Sequence, residues 1–185
     1  YHTINNKIKS KNINSRLEFE LEQNSSLRLI DFFNDSSEKN FVNIFYNFDL
    51  KKDAILKNYK IDKIQNNNIE QERNSMSETF ILSSGSDFNK NEINCNLNGK
   101  YSSAFVNGIF SLMNNQQHEI RTTINHLTEN TKSYQLIKSV LGKESKAVYQ
   151  GKIFVDSIAQ KTDGYQLSKA ILLDKTSEFN AKPEL

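Results

Sequence analysis

Apolar and polar residues alternate one by one along most of this chain, and little interrupts them. In "AVYQGKIFV" (147–155), Ala147, Tyr149, Gly151, Ile153 and Val155 fall on one side of an extended backbone. Val148, Gln150, Lys152, Phe154 and then Asp156 fall on the other. A period of two marks a strand buried on one face, because successive side chains point to opposite sides of the pleat. The first set is apolar and is the expected interior. "SLRLIDFF" (26–33) places Leu27, Leu29, Asp31 and Phe33 on one face. "FVNIFYNF" (41–48), "AILKNYKI" (54–61) and "TFILSS" (79–84) are likewise rich in β-branched and aromatic residues. The first 24 residues also alternate and read as extra strands or a ragged end. "QNNNIEQERNSMS" (65–77) breaks the pattern and is expected to be a loop, with room for a short helix.

One Pro and six Gly in 185 residues leave few places for a linker, so residues 1–185 read as a single domain. "AFVNG" (104–108) and "AVYQG" (147–151) share Ala, two bulky residues, an amide residue and Gly, 43 positions apart. Ala54 lies 50 positions before Ala104. Halved, these gaps give about 21–25 residues, near the repeat lengths of solenoid folds. Small residues recurring between strands suit tight corners where coils stack. The expected fold is all-β: short parallel strands wound into stacked coils, which need no long crossover helices. A two-layer sandwich is the alternative.

Several function classes drop out. The 24 basic and 22 acidic residues intersperse, giving a net charge of +2, with no basic stripe for a nucleic-acid backbone. One cysteine, Cys95, excludes an internal disulfide and CxxC metal chemistry. No apolar run reaches membrane-spanning length and no signal peptide opens the chain. These features fit a reducing cytoplasm. The abundant Asn and Lys are ascribed to an AT-rich genome and given no mechanistic weight. The chain opens on Tyr1 and closes on "KPEL", which reads as a piece of a longer protein.

From residue 79 onward a specific order of motifs appears. It comprises "LSSGSDFNKNEINCNLNG" (82–99), "AFVNGIF" (104–110), "INHLTENTKSYQLIKSVL" (124–141), "AVYQGKIFV" (147–155), "AQKTDGYQ" (159–166), "ILLD" (171–174) and "KPEL" (182–185). This run resembles the core domain of the SufB/SufD family of the SUF iron–sulfur cluster assembly machinery, and its "AQKTDGYQ" stretch favours the SufD branch. "LKKDAIL" (50–56) matches more loosely, as a turn-and-strand unit. The resemblance implies a right-handed parallel β-helix, a single-stranded solenoid, serving as a non-catalytic scaffold. It implies pairing with a SufB-like protein, and with a SufC-like ATPase through a helical region outside this stretch. It implies that the iron–sulfur cluster forms transiently at the SufB interface, with no cofactor bound by this chain itself. In the family a Cys–Ser–His–Gly-type segment, whose His is implicated in assembly, follows the "KPEL" position. The motif residues within this chain are His126, Ser133, Lys138, Gly151, Gln160 and Asp163. A plastid stroma fits as well as a cytoplasm, and homodimers in isolation are compatible with the fold.

Taken singly, these residues favour structural roles. Cys95, within an alternating strand, reads as a small buried hydrophobe rather than a thiolate ligand. His126 reads as a fixed hydrogen-bond partner of Thr131 or Ser133, with proton transfer or metal ligation the sharper alternative. His118 sits in the polar "NNQQHEI" and is expected at the surface. Asp156 and Asp163 together would suit a carbohydrate-active β-helix enzyme. Their neighbours Lys152 and Lys161, and the turn-like "TDG" (162–164), favour solvated positions instead. "GSDFNKN" (85–91) lacks a GK[ST] ending and is no phosphate loop. The remaining alternative is a self-associating β-helix without SUF partners.

Overall fold

The computed structural model describes residues 12–32, 41–61 and 65–185. The described residues form strands β1 (Asn12–Leu21), β2 (Ser26–Phe32), β3 (Phe41–Leu50), β4 (Ile55–Ile61), β5 (Gln65–Gln71), β6 (Met76–Ser83) and β7 (Phe88–Leu97). They continue as β8 (Ser103–Leu112), β9 (Gln117–His126), β10 (Lys132–Leu141), β11 (Lys146–Val155), β12 (Asp163–Leu172) and β13 (Glu178–Glu184). Odd-numbered strands stack in sequence order into a seven-stranded sheet, and even-numbered strands into a six-stranded sheet. Every pairing is parallel. The chain is therefore a β-solenoid with two strands per coil, and no helix appears among the described residues. None is long and apolar enough to cross a membrane.

The inward side chains of the two sheets meet in the middle. On β8, Ala104, Val106, Phe110 and Leu112 are buried, each at most 2% exposed. On β9 the inward set is His118, Ile120, Thr122, Ile124 and His126. Register fixes columns that run along the solenoid, such as Ile93 over Thr122 over Gly151 over Pro183. In the middle coils each inward side chain rests on the coils before and after it. Fully burying one aliphatic side chain this way is worth about 1.5–3 kcal/mol. Near the first coils Phe48 stacks on Phe19 and on Tyr46, with ring centroids 5.1 and 5.8 Å apart. Pro183 sits on β13, which has one strand partner, where a missing N–H is tolerated.

Several expectations are corrected. The stretch 65–77 is no loop: β5 occupies Gln65–Gln71, a short turn follows, and β6 begins at Met76. Its Asn and Gln obscured the period because they face inward, with Gln65, Asn67 and Gln71 all buried. The 43-residue spacing is not a repeat of one coil, because Ala104 lies on β8 and Ala147 on β11, in different sheets. True coil lengths vary from 21 residues (Ile44 over Gln65) to 32 (Lys146 beneath Glu178). Gly108 and Gly151 are not corners but inward mid-strand positions. Val155 is 42% exposed, while Ala147, Tyr149 and Ile153 are buried as expected. β13 pairs with β11 only as far as Lys152, so Val155 has a described strand, β9, on one side only. Leu27, Leu29 and Asp31 do share the inward face, but Phe33 lies outside the described residues, as do residues 1–11.

The asparagines have a mechanical role after all. Asn24, Asn74, Asn114, Asn115 and Asn130 take positive φ in the turns, a conformation in which Asn pays less than most residues. Turn amides bond to the turn of the next coil: Asn24 N to Lys52 O (3.1 Å), Asp53 N to Arg73 O (3.0 Å), Asn74 N to Lys100 O (2.9 Å). On the outer face of the odd sheet, Asn94 donates to Asn68 (3.3 Å) and Asn125 to Asn96 (2.7 Å). Gly99 marks the closest approach in the turn column. A β-carbon there would collide with the main chain of Glu72 and Arg73.

Candidate partner interface

Strands β9 to β12 and the connections between them place the motif residues. His126 ends β9 with its ring wholly buried. Nδ1 lies 2.7 Å from Thr131 Oγ1 and Nε2 lies 2.9 Å from Ser133 Oγ. The Thr131 hydroxyl donates to the Thr128 carbonyl (3.2 Å), which assigns the ring proton to Nδ1 and leaves Nε2 to accept from Ser133. Burial pushes the imidazole pKa down to about 4, against a smaller opposing pull from Asp163. At neutral pH this His is an uncharged strut joining β9 to the following turn, which supports the structural reading.

The Asp163 N–H donates to the Thr131 carbonyl (3.0 Å) and Thr131 meets Thr162 (3.4 Å), so coil stacks on coil at this edge. Gln160 is exposed, its carbonyl accepting from Asn130 N (2.9 Å) and its amide donating to Ser157 O (2.9 Å). His126, Ser133, Gln160 and Asp163 thus gather along one turn column. Gly151 and Lys138 do not join them. Gly151 lies in the interior, where a β-carbon would come 2.7 Å from Tyr149 Cζ. Lys138 stands exposed on the outer face of β10. A shallow depression of about 390 Å³ beside this column is lined by Ile153, Val155, Asp156, Gln160 and Leu185, among others.

"TDG" is not a turn. β12 already begins at Asp163, and the positive φ falls on Lys161. Asp156 holds the preceding loop, accepting from Ile158 N (3.1 Å) and from Ser157 Oγ (3.3 Å). Lys152 and Lys161 are exposed. Cys95 is 1% exposed, and burial pushes its thiol up to about 12, so it stays protonated. Among the described residues, no three His, Cys, Asp or Glu side chains are grouped to hold a metal ion.

His118 corrects the surface assignment: it is 2% exposed, with Nδ1 2.8 Å from Ser83 Oγ and Nε2 2.7 Å from Ser86 O. Its parity with Ile120, Ile124 and His126 in "HEIRTTINH" was the overlooked signal. An interior network was also missed. Tyr149 Oη donates to Gln135 Oε1 (3.1 Å), which also accepts from Thr122 Oγ1. Such pairings across the core are invisible to a strand-by-strand reading.

The outer face of β1, β3 and β5 carries a groove of about 650 Å³ with Glu18, Glu20, Asp49 and Glu70 along it. Its carboxylates are engaged locally rather than converging. Arg16 meets Glu18 (3.0 Å), Lys51 meets Asp49 (2.7 Å) and Glu20 (3.8 Å), and Asn96 donates to Glu70 (2.7 Å).

Among the described residues both ends of the solenoid are open, β1 and β2 at one end and β12 and β13 at the other. β12 and β13 each pair with one neighbour, so each leaves one edge of main-chain donors and acceptors unpaired among the described residues. Ile171 (62%), Leu172 (48%), Leu173 (56%) and Leu185 (96%) are exposed beside these edges. An edge of that kind is suited to strand addition or to another coil.

Two comparisons with known proteins bear on this geometry. The family described as "SUF system FeS cluster assembly, SufBD core domain" matches residues 2–185. The iron–sulfur cluster assembly protein SufD of Escherichia coli (strain K12) is 29% identical over 115 residues. That alignment covers 62% of this chain and 27% of the relative, so the chain spans only about a quarter of that protein's length. With the whole solenoid inside the family match, the chain belongs to the SufB/SufD family, as a core domain of the SUF iron–sulfur cluster assembly system.

Proposed function

We propose that this chain is the solenoid body of a SufD-like scaffold that pairs with a SufB-like protein. The observation that carries the reading is the pair of unpaired edges on β12 and β13, flanked by exposed apolar side chains. Edge pairing supplies main-chain hydrogen bonds without a special sequence, and the side chains beside it supply selectivity. A SufC-like ATPase binds through regions outside this chain, and the iron–sulfur cluster is cargo made at the SufB interface. The chain does no chemistry of its own. His126, Ser133, Gln160 and Asp163 stiffen the coil next to the interface, and Gly151 lets β11 pack closely. The setting is the cytoplasm, or a plastid stroma. In isolation the same edges pair two copies.

Co-purification tests this reading, using this chain and a version extended past Leu185 with SufB-like and SufC-like proteins. The expected result is retention of SufB by at least the extended version, and of SufC by the extended version only. Failure of both to retain SufB overturns the reading. Anaerobic reconstitution of the isolated chain is expected to leave no stoichiometric cluster, and a cluster bound one per chain would refute the cargo assignment.

A further inference from the structure

The two outer faces of the solenoid differ in kind. On the odd sheet the outward positions are mostly Asn, Glu, Lys and Arg, such as Glu18, Asn47, Asn68, Asn94 and Thr123 in one register column. The outward positions of the even sheet are largely apolar. One column runs Ile30, Tyr59, Phe80, Asn107, Leu136, Leu167, and its neighbour ends in Phe105, Tyr134 and Tyr165. Tyr134 and Tyr165 stack, with centroids 5.0 Å apart and planes at 14°. Ile109 (36%), Val140 (37%), Tyr165 (47%) and Ile171 (62%) are open to solvent on this face. A sheet face of this composition is normally covered by another layer.

Two of its lysines stand side by side. Lys138 and Lys169 are register partners on adjacent strands, and both are exposed. Neither has an acidic partner within ion-pair distance among the described residues. Like charges directly opposite each other on neighbouring strands repel. The pair is flanked by Leu136, Val140, Leu167 and Ile171, two positions away along each strand. Such a pair inside an apolar face is complementary to acidic groups carried on an apolar surface.

We propose that the even-numbered sheet, on its outer face around Lys138 and Lys169, docks an acidic amphipathic helix of a partner protein. The face leaves its main-chain groups engaged in ladders, so recognition runs through side chains, and a helix presents apolar residues at i, i+3, i+4 and i+7 to such a surface. Carboxylates on that helix meet the two ammonium groups. A second copy of this chain is a poor occupant. Face to face it would set lysines against lysines, and its odd face is mostly polar and of mixed charge, with few apolar residues. The proposal uses a surface distinct from the β12 and β13 edges and stands whether or not those edges pair with a SufB-like protein.

The test uses a synthetic amphipathic helical peptide with Leu at the four spaced positions and Glu flanking them. A second peptide carries Lys in place of Glu. Binding is read by fluorescence anisotropy and by protection of Lys138 and Lys169 from acetylation, mapped by mass spectrometry. The acidic peptide should bind about tenfold or more tighter than the basic one and protect both lysines. In the doubly substituted K138E/K169E chain the preference should invert, and thermal unfolding should show the variant folded, since both side chains are exposed. Equal binding of the two peptides, no binding of either, or an unchanged preference in the variant overturns the proposal. Dimerisation that buries Tyr165 and excludes the acidic peptide, seen by sizing and quenching, overturns it in favour of a second copy.

Discussion

The coil containing β9 and β10 and the coil containing β12 and β13 share parallel pairing and turn-to-turn hydrogen bonds. Their burial differs sharply. β10 alternates cleanly between buried and open positions, whereas no residue of β12 is buried. Leu141 and Leu172 are register partners, yet Leu141 is 0% exposed and Leu172 48%. The difference is not in the residue but in its cover. Leu141 lies between Leu112 and Leu172 in its column, whereas Leu172 has a described neighbour on one side only. Stability therefore concentrates in the covered coils.

The strongest way to break this contrast is at a covered turn. Gly99→Ala should destabilise by about 3–5 kcal/mol, because its β-carbon meets the main chain of Glu72 and Arg73. Urea unfolding measures it, and a loss no larger than that of a surface substitution would mean that the turn ladder yields easily. Next come the paired leucines. Leu141→Ala should cost about 2–5 kcal/mol, and Leu172→Ala less than about 1 kcal/mol. Equal losses would show that the last coil is covered in solution.

The third test is pH. His126 has a folded pKa near 4 against an ordinary value of 6.5, so the native state binds fewer protons than the unfolded state between those values. Its contribution is full above about pH 6.5 and is lost as pH falls towards 4, about 3 kcal/mol in all. Urea titrations across that window should show a shallower decline for His126→Gln than for the wild type. Parallel declines would place the sensitivity elsewhere.

The smallest effect belongs to Asp174. Its carboxylate is held well below the usual carboxylate range, first by the Lys143 N–H and then by the Thr176 and Ser177 hydroxyls. It ties the turn of a covered coil to the turn of the last one. Asp174→Ala should leave the melting midpoint almost unchanged while amide exchange quickens at Lys143 and Glu144. A midpoint drop matching that of Leu141→Ala would erase the distinction between the coils.

Much of this was legible beforehand, for a definite reason. Alternation in "AVYQGKIFV" reports burial directly, so Ala147, Tyr149 and Ile153 were assigned inward correctly. The hydrogen bonds of His126 to Thr131 and Ser133 were readable because all three lie close in sequence, across the one turn between β9 and β10. The strand at 65–71 was not legible, because its inward positions are amides, and polarity was taken for exposure. His118 failed for the same reason. The coil length failed because coils here range from 21 to 32 residues, so spacing between look-alike segments misassigns sheets.

By itself the sequence determined that this chain forms strands with one face in, since a period of two is a local property of the pleat. It also determined the family, which resides in the order of short motifs. Only the tertiary structure decided which inward residues stay dry and which outer face is left apolar. Burial depends on what lies in the coils above and below, and those neighbours are some thirty residues away along the chain.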